Sequence, residues 1–421
     1  MRQKLASNPL FVVFFTVFVD LLGFGILIPV IPLLLANPAS PYFLLPAGMT
    51  VKQGYIILGF LTAIFPLMQF FATPILGQLS DKFGRKKILA ISLAGTSLSY
   101  VIFALGIMTR NIPLLFAARA FDGITGGNIS VAQAAIADVT TPANRAKNFG
   151  LIGAAFGLGF ILGPYIGGKL SDPSILSWFS ATTPFWFAAI LSFLNVLSVI
   201  FLFPETLKNL QSHVVIKWDR AIKNVVHAYA YKELRTIFVT IFLLNGGFTF
   251  FTTFFSVFLI NKFHFNQGNI GDFFSYVGIW IAFTQAVITR QVTKRFGESD
   301  ILKFSLLGTG LTIFLFFFPT HWWGLLLITP FFAMFNGLTM ANITALVSRS
   351  VGPEVQGEVM GISTSVQALA QAIPPILSGY IAASLTAEAP IFVSGVVIVL
   401  SGLVFITFFK KHATVLPLKE E

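Results

Sequence analysis

Twelve stretches of about twenty apolar residues follow one another along this chain, and no other feature restricts its fold so strongly. They run over residues 10–35, 54–79, 87–108, 112–139, 147–170, 183–204, 234–260, 270–291, 301–319, 322–348, 358–385 and 391–409. A helix needs roughly 20 such residues to cross about 30 Å of hydrocarbon. In lipid each backbone N–H and C=O must be satisfied within the protein, which a helix does by itself. The expected fold is therefore an all-α polytopic membrane protein with twelve transmembrane helices. Charged residues make up only 10% of the chain, against about 25% in soluble domains. A basic start precedes the first run without a small-residue cleavage pattern, so that run is expected to be a retained helix rather than a signal peptide.

The net charge of +11 would suggest a nucleic-acid partner if its distribution were ignored. Of the 27 lysines and arginines, 22 fall in the tails and loops on the side of the termini and 4 on the opposite side. Arg119 lies inside a span. By the positive-inside rule both termini are expected in the cytoplasm, and the basic charge is a topology signal rather than a nucleic-acid footprint. The absence of cysteine excludes disulfides, thiolate catalysis and Cys-ligated metals. The histidines show no metal-ligand spacing, and no Gly-Lys-Ser/Thr loop exists to cradle a nucleotide phosphate. No enzyme constellation remains and no cofactor or metal is called for, which leaves an ion gradient or downhill flux to drive any transport.

Residues 205–233 form the longest polar stretch and divide the chain into 1–204 and 234–421, with six spans each. In that stretch Val215, Trp218, Ile222, Val225 and Tyr229 share one helical face, and Lys217, Arg220, Lys223 and His227 another. Such a helix is expected to lie at the membrane surface as a linker. The two halves repeat. Asp122-Gly123-Ile124-Thr125 and Asn128-Ile129-Ser130 match Asn336-Gly337-Leu338-Thr339 and Asn342-Ile343-Thr344. Lys82-Phe83-Gly84 matches Arg295-Phe296-Gly297, and Gly150 through Gly168 matches Gly361 through Gly379. Two pseudo-symmetric six-helix bundles are the expected arrangement, one used by transporters whose site lies near the midplane.

Charge inside the spans marks the candidate functional residues. Arg119 and Asp122 sit three apart in span four, where a guanidinium and a carboxylate share a helix face. Unpaired, each would cost roughly 2.5–3.5 kcal/mol on insertion scales. Asp20 lies about 16 Å along span one from Pro9, near mid-depth, with no partner nearby in sequence. A carboxyl away from water favours its neutral form, while a neighbouring guanidinium favours the ion. Asp20 is thus the better candidate for a reversible proton site, and Asp122 is expected to be held ionised by Arg119. A purely structural role for that pair stays open. Polar and aromatic candidates for a substrate cavity in the second half are Asn245, Phe251, Gln285, Asn336 and Gln367, with helix packing as the competing role.

The loop Gly77-Gln78-Leu79-Ser80-Asp81-Lys82-Phe83-Gly84-Arg85-Lys86-Lys87 resembles, at each defining position, the signature loop of the major facilitator superfamily. Arg119-x-x-x-Gly123 looks like its fourth-helix motif, and Leu22-Gly23-x5-Pro29-Val30-x-Pro32 is similar to the first-helix motif of its twelve-span drug exporters. Gly150, Gly159, Gly163, Pro164, Gly167 and Gly168 follow the fifth-helix antiporter motif. Asp122 departs from the pattern, which has an apolar or small residue there. The resemblance is closest to the proton-antiporter branch that includes bacterial tetracycline exporters. It implies a monomeric multi-pass protein of a bacterial cytoplasmic membrane that exports a small amphiphilic molecule against proton entry by alternating access. It also implies a latch in the Gly77, Asp81, Gly84 and Arg85 loop; Arg145, near a cytoplasmic helix end, is expected to be a gate or capping residue. In the second copy Lys294 replaces Asp81, so an equal latch there is not expected. The glycine row of span five is expected to pack against a span of the other half. Proton-coupled uptake of a small solute or metal-chelate complex uses the same fold and is the alternative. A non-transporting receptor or scaffold would not need Asp20, Arg119 and the intact loop together.

Overall fold

The structure, a computed structural model, describes residues 9–141, 145–207, 210, 216–231, 234–351 and 356–410. Among them there is no β-strand. The helices are α1 (Pro9–Leu35), α2 (Val51–Phe83), α3 (Arg85–Met108), α4 (Ile112–Thr125), α5 (Ile129–Val139), α6 (Arg145–Leu170), α7 (Thr183–Leu202) and α8 (Arg220–Ala230). They continue with α9 (Arg235–Phe263), α10 (Gln267–Phe283), α11 (Thr289–Val292), α12 (Glu298–Leu315), α13 (Trp323–Arg349), α14 (Gln356–Ser384) and α15 (Ala389–Phe408).

Ten of the described helices are long and apolar enough to cross a membrane. The other two expected spans fall short for local reasons. Span four is split into α4 and α5 by a 3-10 turn at Gly126–Asn128, where two adjacent glycines weaken the helix. Span nine, α12, opens with Glu298, Asp300 and Lys303 in its 18 residues. Asp300 and Lys303 pair at 2.9 Å on the surface.

The chain divides into two compact units. The first holds residues 1–54, 64–220 and 265–275, and the second holds 55–63, 221–264 and 276–421. Two short segments therefore cross the divide drawn in sequence: the start of α2 clusters with the second unit, and the start of α10 with the first. Within each unit the repeat is visible as packing. In the first, α1 packs on α6 and α7, and α3 on α4 and α7; in the second, α9 packs on α14 and α15, and α12 on α13 and α15. Buried polar side chains tie neighbouring spans together, as when Ser192 donates to the Leu93 carbonyl (3.2 Å) and Ser97 to the Ala189 carbonyl (2.8 Å). Such bonds satisfy groups that lipid cannot.

Of the amphipathic stretch, α8 covers residues 220–230. Ala221 and Ala228 are buried, while Trp218, Ile222, Val226 and Tyr229 are exposed. Asn224 ties the helix to α14 by donating to the Ser365 hydroxyl at 3.0 Å. Val215 lies outside the described residues.

Candidate functional site

The intramembrane charges gather in the first unit. Arg119 and Asp122, one turn apart on α4, are both buried and meet at 2.7 Å between Nη1 and Oδ2. The guanidinium also stands 4.4 Å from the centre of the Phe65 ring, a cation–π contact strengthened by the dry setting. Leu27, Ser99, Tyr100, Phe103 and Phe185 line, with this pair, a crevice too tight to admit water. Gly23 of α1 makes room for it: a Cβ there would overlap the Tyr100 hydroxyl.

Asp20 lies one turn before Gly23 on the same helix. Its Oδ1 is buried without a hydrogen-bond partner, and the side chain of Asn128 faces it. Asn128 sits in the 3-10 turn, buried, with neither amide atom bonded. The turn is held against α2: Gln69 donates to the Gly126 carbonyl at 2.8 Å, and Ser130 to the Thr73 carbonyl at 2.9 Å. A Cβ on Gly127 would come within 2.9 Å of the Thr73 backbone nitrogen.

The glycine row of α6 serves two neighbours. Gly159, Gly163 and Gly167, four apart, put their bare face against Leu21, Leu22, Gly25 and Ile26 of α1; a Cβ on Gly163 would lie 2.7 Å from the Gly25 Cα. This corrects the expectation of packing chiefly on the other half, because positions four apart share one helix face and that face meets α1. Gly168 alone reaches α10, where a Cβ would lie 3.1 Å from the Gly271 Cα. Beside that contact Lys169 and Asp272 pair at 2.9 Å. Pro164 lies in the same interface, its ring packed near Gly25 and its carbonyl near Gly271. Gly150 belongs to α6, but its surroundings lie outside the described residues, as does the side chain of Arg145.

The basic loop closes on itself through Arg85. Its guanidinium reaches Asp81 at 2.7 Å, Asp138 at 3.1 Å and the Ser80 hydroxyl at 2.6 Å. Gly84 takes φ 98°, the left-handed region that favours glycine. A Cβ there would strike the carboxylate of Glu205. That carboxylate accepts from the backbone N–H of Arg85 (3.0 Å) and Lys86 (3.2 Å), an acid placed where the α3 dipole favours it. Sequence reasoning missed Glu205, which is 120 residues away from Arg85 along the chain. Gly77 has only the Ser130 side chain near its bare side, at 3.6 Å. In the repeat the polarity is reversed: Glu298 stands where Arg85 does and pairs at 2.5 Å with Arg349.

The cavity candidates of the second unit separate by environment. Phe251 is buried in a cluster with Phe255, Phe316 and Phe332, its ring 4.2 Å from that of Phe255, so it is a core residue. Asn245 donates to the Ile241 carbonyl and Gln367 to the Ser363 hydroxyl, both within their own helices. Asn336 is buried with Oδ1 unpartnered. Gln285 is exposed and lies in a π-turn, Thr284–Ile288, the kind of local irregularity frequent at functional sites. Among the described residues no three His, Asp or Glu side chains gather as a metal site.

A duplicated six-helix unit with a buried ion pair and a lone carboxyl inside its spans defines a multi-pass integral membrane transporter, not an enzyme, acting on a small-molecule substrate. The chain belongs to the Major Facilitator Superfamily, whose family model matches residues 13–297 and 237–421. The class C tetracycline resistance protein of Escherichia coli is 31% identical over 372 residues, covering 88% of this chain and 89% of the relative. The quinolone resistance protein NorA of Staphylococcus aureus is 29% identical over 418 residues and covers 99% of both chains. In fold the chain resembles the human organic anion transporter MFSD10, with a TM-score of 0.71 at 23% identity over 94% of this chain and 98% of that one.

Proposed function

We propose that this transporter exports small amphiphilic molecules of the tetracycline or quinolone kind in exchange for protons, with Asp20 as the proton carrier. The observation that carries this reading is the contrast between two carboxyls of the first unit. Asp122 is committed to Arg119 at 2.7 Å, whereas Asp20 has a buried oxygen without a partner. A fixed cation favours the ionised carboxyl, so of the two the one without a cation takes up a proton more readily. The names of the relatives favour drug export. In this reading both termini are cytoplasmic, the protein works as a monomer in a bacterial cytoplasmic membrane, and residues 205–233 link two functional halves. The proton gradient supplies the energy, with no resident cofactor. The Asp81–Arg85–Asp138 cluster is a latch that opens as the protein changes state.

Proton flux on adding tetracycline to proteoliposomes tests the reading. Asp20→Asn mimics the protonated carboxyl, so uphill, pH-driven transport is lost while exchange without a gradient survives. Wild-type proton flux in that variant moves the proton site elsewhere.

A further inference from the structure

Asn128 carries a complete amide into the interior of the first unit at 1% exposure and bonds neither end of it. An orphaned buried polar group costs about 1–3 kcal/mol, so its retention at this place asks for a functional reason. Its repeat counterpart has no such need: Asn342 donates from Nδ2 to the Leu338 carbonyl, four residues back, at 2.7 Å. The difference arises in the backbone. α13 is continuous through Asn342, while the Gly126–Asn128 turn takes Asn128 out of register with its own helix. The side chain is left facing Asp20, whose Oδ1 is likewise unpaired.

We propose that Asn128 is the positioning residue of Asp20, serving both protonation states of the carboxyl. Its Nδ2 donates to the carboxylate; after a half-turn of the amide its Oδ1 accepts from the protonated carboxyl. An amide offers both a donor and an acceptor at one site, which a guanidinium or an ammonium, having no acceptor, does not. Of the other polar groups packed near this part of α1, Arg119 and Asp122 of α4 hold each other, with Arg119 Nε left unpartnered; Tyr100 of α3 sits against Gly23; and Asn195 of α7 accepts from Thr16 at 3.3 Å while its Nδ2 has no partner. The face of α6 that meets α1 is made of glycines. Asn128 thereby keeps Asp20 in one place while its proton comes and goes. The inference rests on Asp20 being the proton carrier.

The test uses Asn128→Leu, the smaller Asn128→Ala should the leucine disturb insertion, and Asn128→Gln as the conservative variant. Infrared titration in proteoliposomes follows the Asp20 carboxyl stretch, identified by its loss in Asp20→Asn, and needs no substrate. Tetracycline-driven proton flux against pH is the second readout. Leucine or alanine moves the carboxyl band to higher frequency, as for an acid without a hydrogen bond. Either also raises the midpoint of the flux profile by about one pH unit, a tenfold change in proton affinity, because the charge-assisted bond to the carboxylate is the stronger of the two that are lost. Glutamine restores most of both. An unchanged band and midpoint in the inserted leucine or alanine variant overturns the role of Asn128. A normal flux in Asp20→Asn instead overturns the carrier reading on which it rests.

Discussion

Span four exists twice in this chain, and the copies have taken different physics. The first carries Arg119, Asp122, Gly126, Gly127 and Asn128; the second has Ala333, Asn336, Met340, Ala341 and Asn342 at the matching places. Charge and glycine make the first copy a broken helix, α4 and α5, pressed against Phe65, Gln69 and Thr73 of α2. Methionine and alanine leave the second a continuous α13 whose Asn342 bonds within its own helix. There the irregularity has moved to the facing helix, where the π-turn begins at Thr284 beside Gly337. The same division recurs at the helix ends farther from the basic loop. A Gly168 or Gly59 Cβ would meet its glycine counterpart, Gly271 or Gly379, at 3.1 and 3.2 Å. Beside one contact stands the ion pair Lys169–Asp272, and beside the other the edge-on aromatic pair Phe60–Tyr380, 6.1 Å apart. Duplication preserved the close backbone contacts, with an ion pair beside the one in the first unit and an aromatic pair beside the one in the second.

The largest effect comes from making the first copy half like the second. Asp122→Asn strands the buried guanidinium and costs about 3–5 kcal/mol. The double variant Arg119→Ala with Asp122→Asn carries the residue types of Ala333 and Asn336. It should recover most of that stability in thermal unfolding while transport stays lost. A double variant no more stable than the single one would show that the pair is not what Asp122 maintains.

Next in size is the glycine interface, which the second copy meets with Ala370 and Pro374 in place of Gly159 and Gly163. Gly163→Leu overpacks α1 at a backbone contact, costing about 1–3 kcal/mol or more, and leaves an inserted protein with uncoupled or leaky transport. Gly153→Leu, on the same helix with nothing within 4 Å, should be near neutral in both readouts. Equal behaviour of the two variants would remove the special role of the α1-facing row.

The smallest effects separate the two end contacts. Lys169 and Asp272 are 31% and 50% exposed, so Lys169→Gln costs about 0.2–1 kcal/mol, and the loss fades as salt rises. Phe60→Leu costs about 0.5–1.5 kcal/mol and does not respond to salt. Thermal unfolding at low and high ionic strength distinguishes them, and a salt-independent Lys169 effect would deny the ion pair its electrostatic role.

Much of the site was legible along the chain. Arg119 and Asp122 meet because three residues bring a helix back to the same face, and Arg85 pairs with Asp81 by the equivalent four-residue step. These are local geometries. Glu205 at the start of α3 and Tyr100 beside Gly23 were not legible, since both depend on contacts across long stretches of sequence. Phe251 illustrates the opposite error: a phenylalanine in a polar-flanked span looks available to a substrate, yet its face turns into a cluster of four rings.

The sequence by itself determined the all-α class, the spans, the duplication and the identity of the few charges placed inside them. Each is written in hydropathy or spacing along one helix, at 1.5 Å per residue, and needs no neighbour. Only the tertiary structure decided that Gly159, Gly163 and Gly167 face α1 while Gly168 faces α10. It alone decided that identical asparagines in matching positions end differently, Asn342 bonded and Asn128 open toward Asp20. The physical reason is that a helix has many faces, and which one meets which partner depends on packing. A single 3-10 turn, produced where glycines abut α2, rotates everything beyond it.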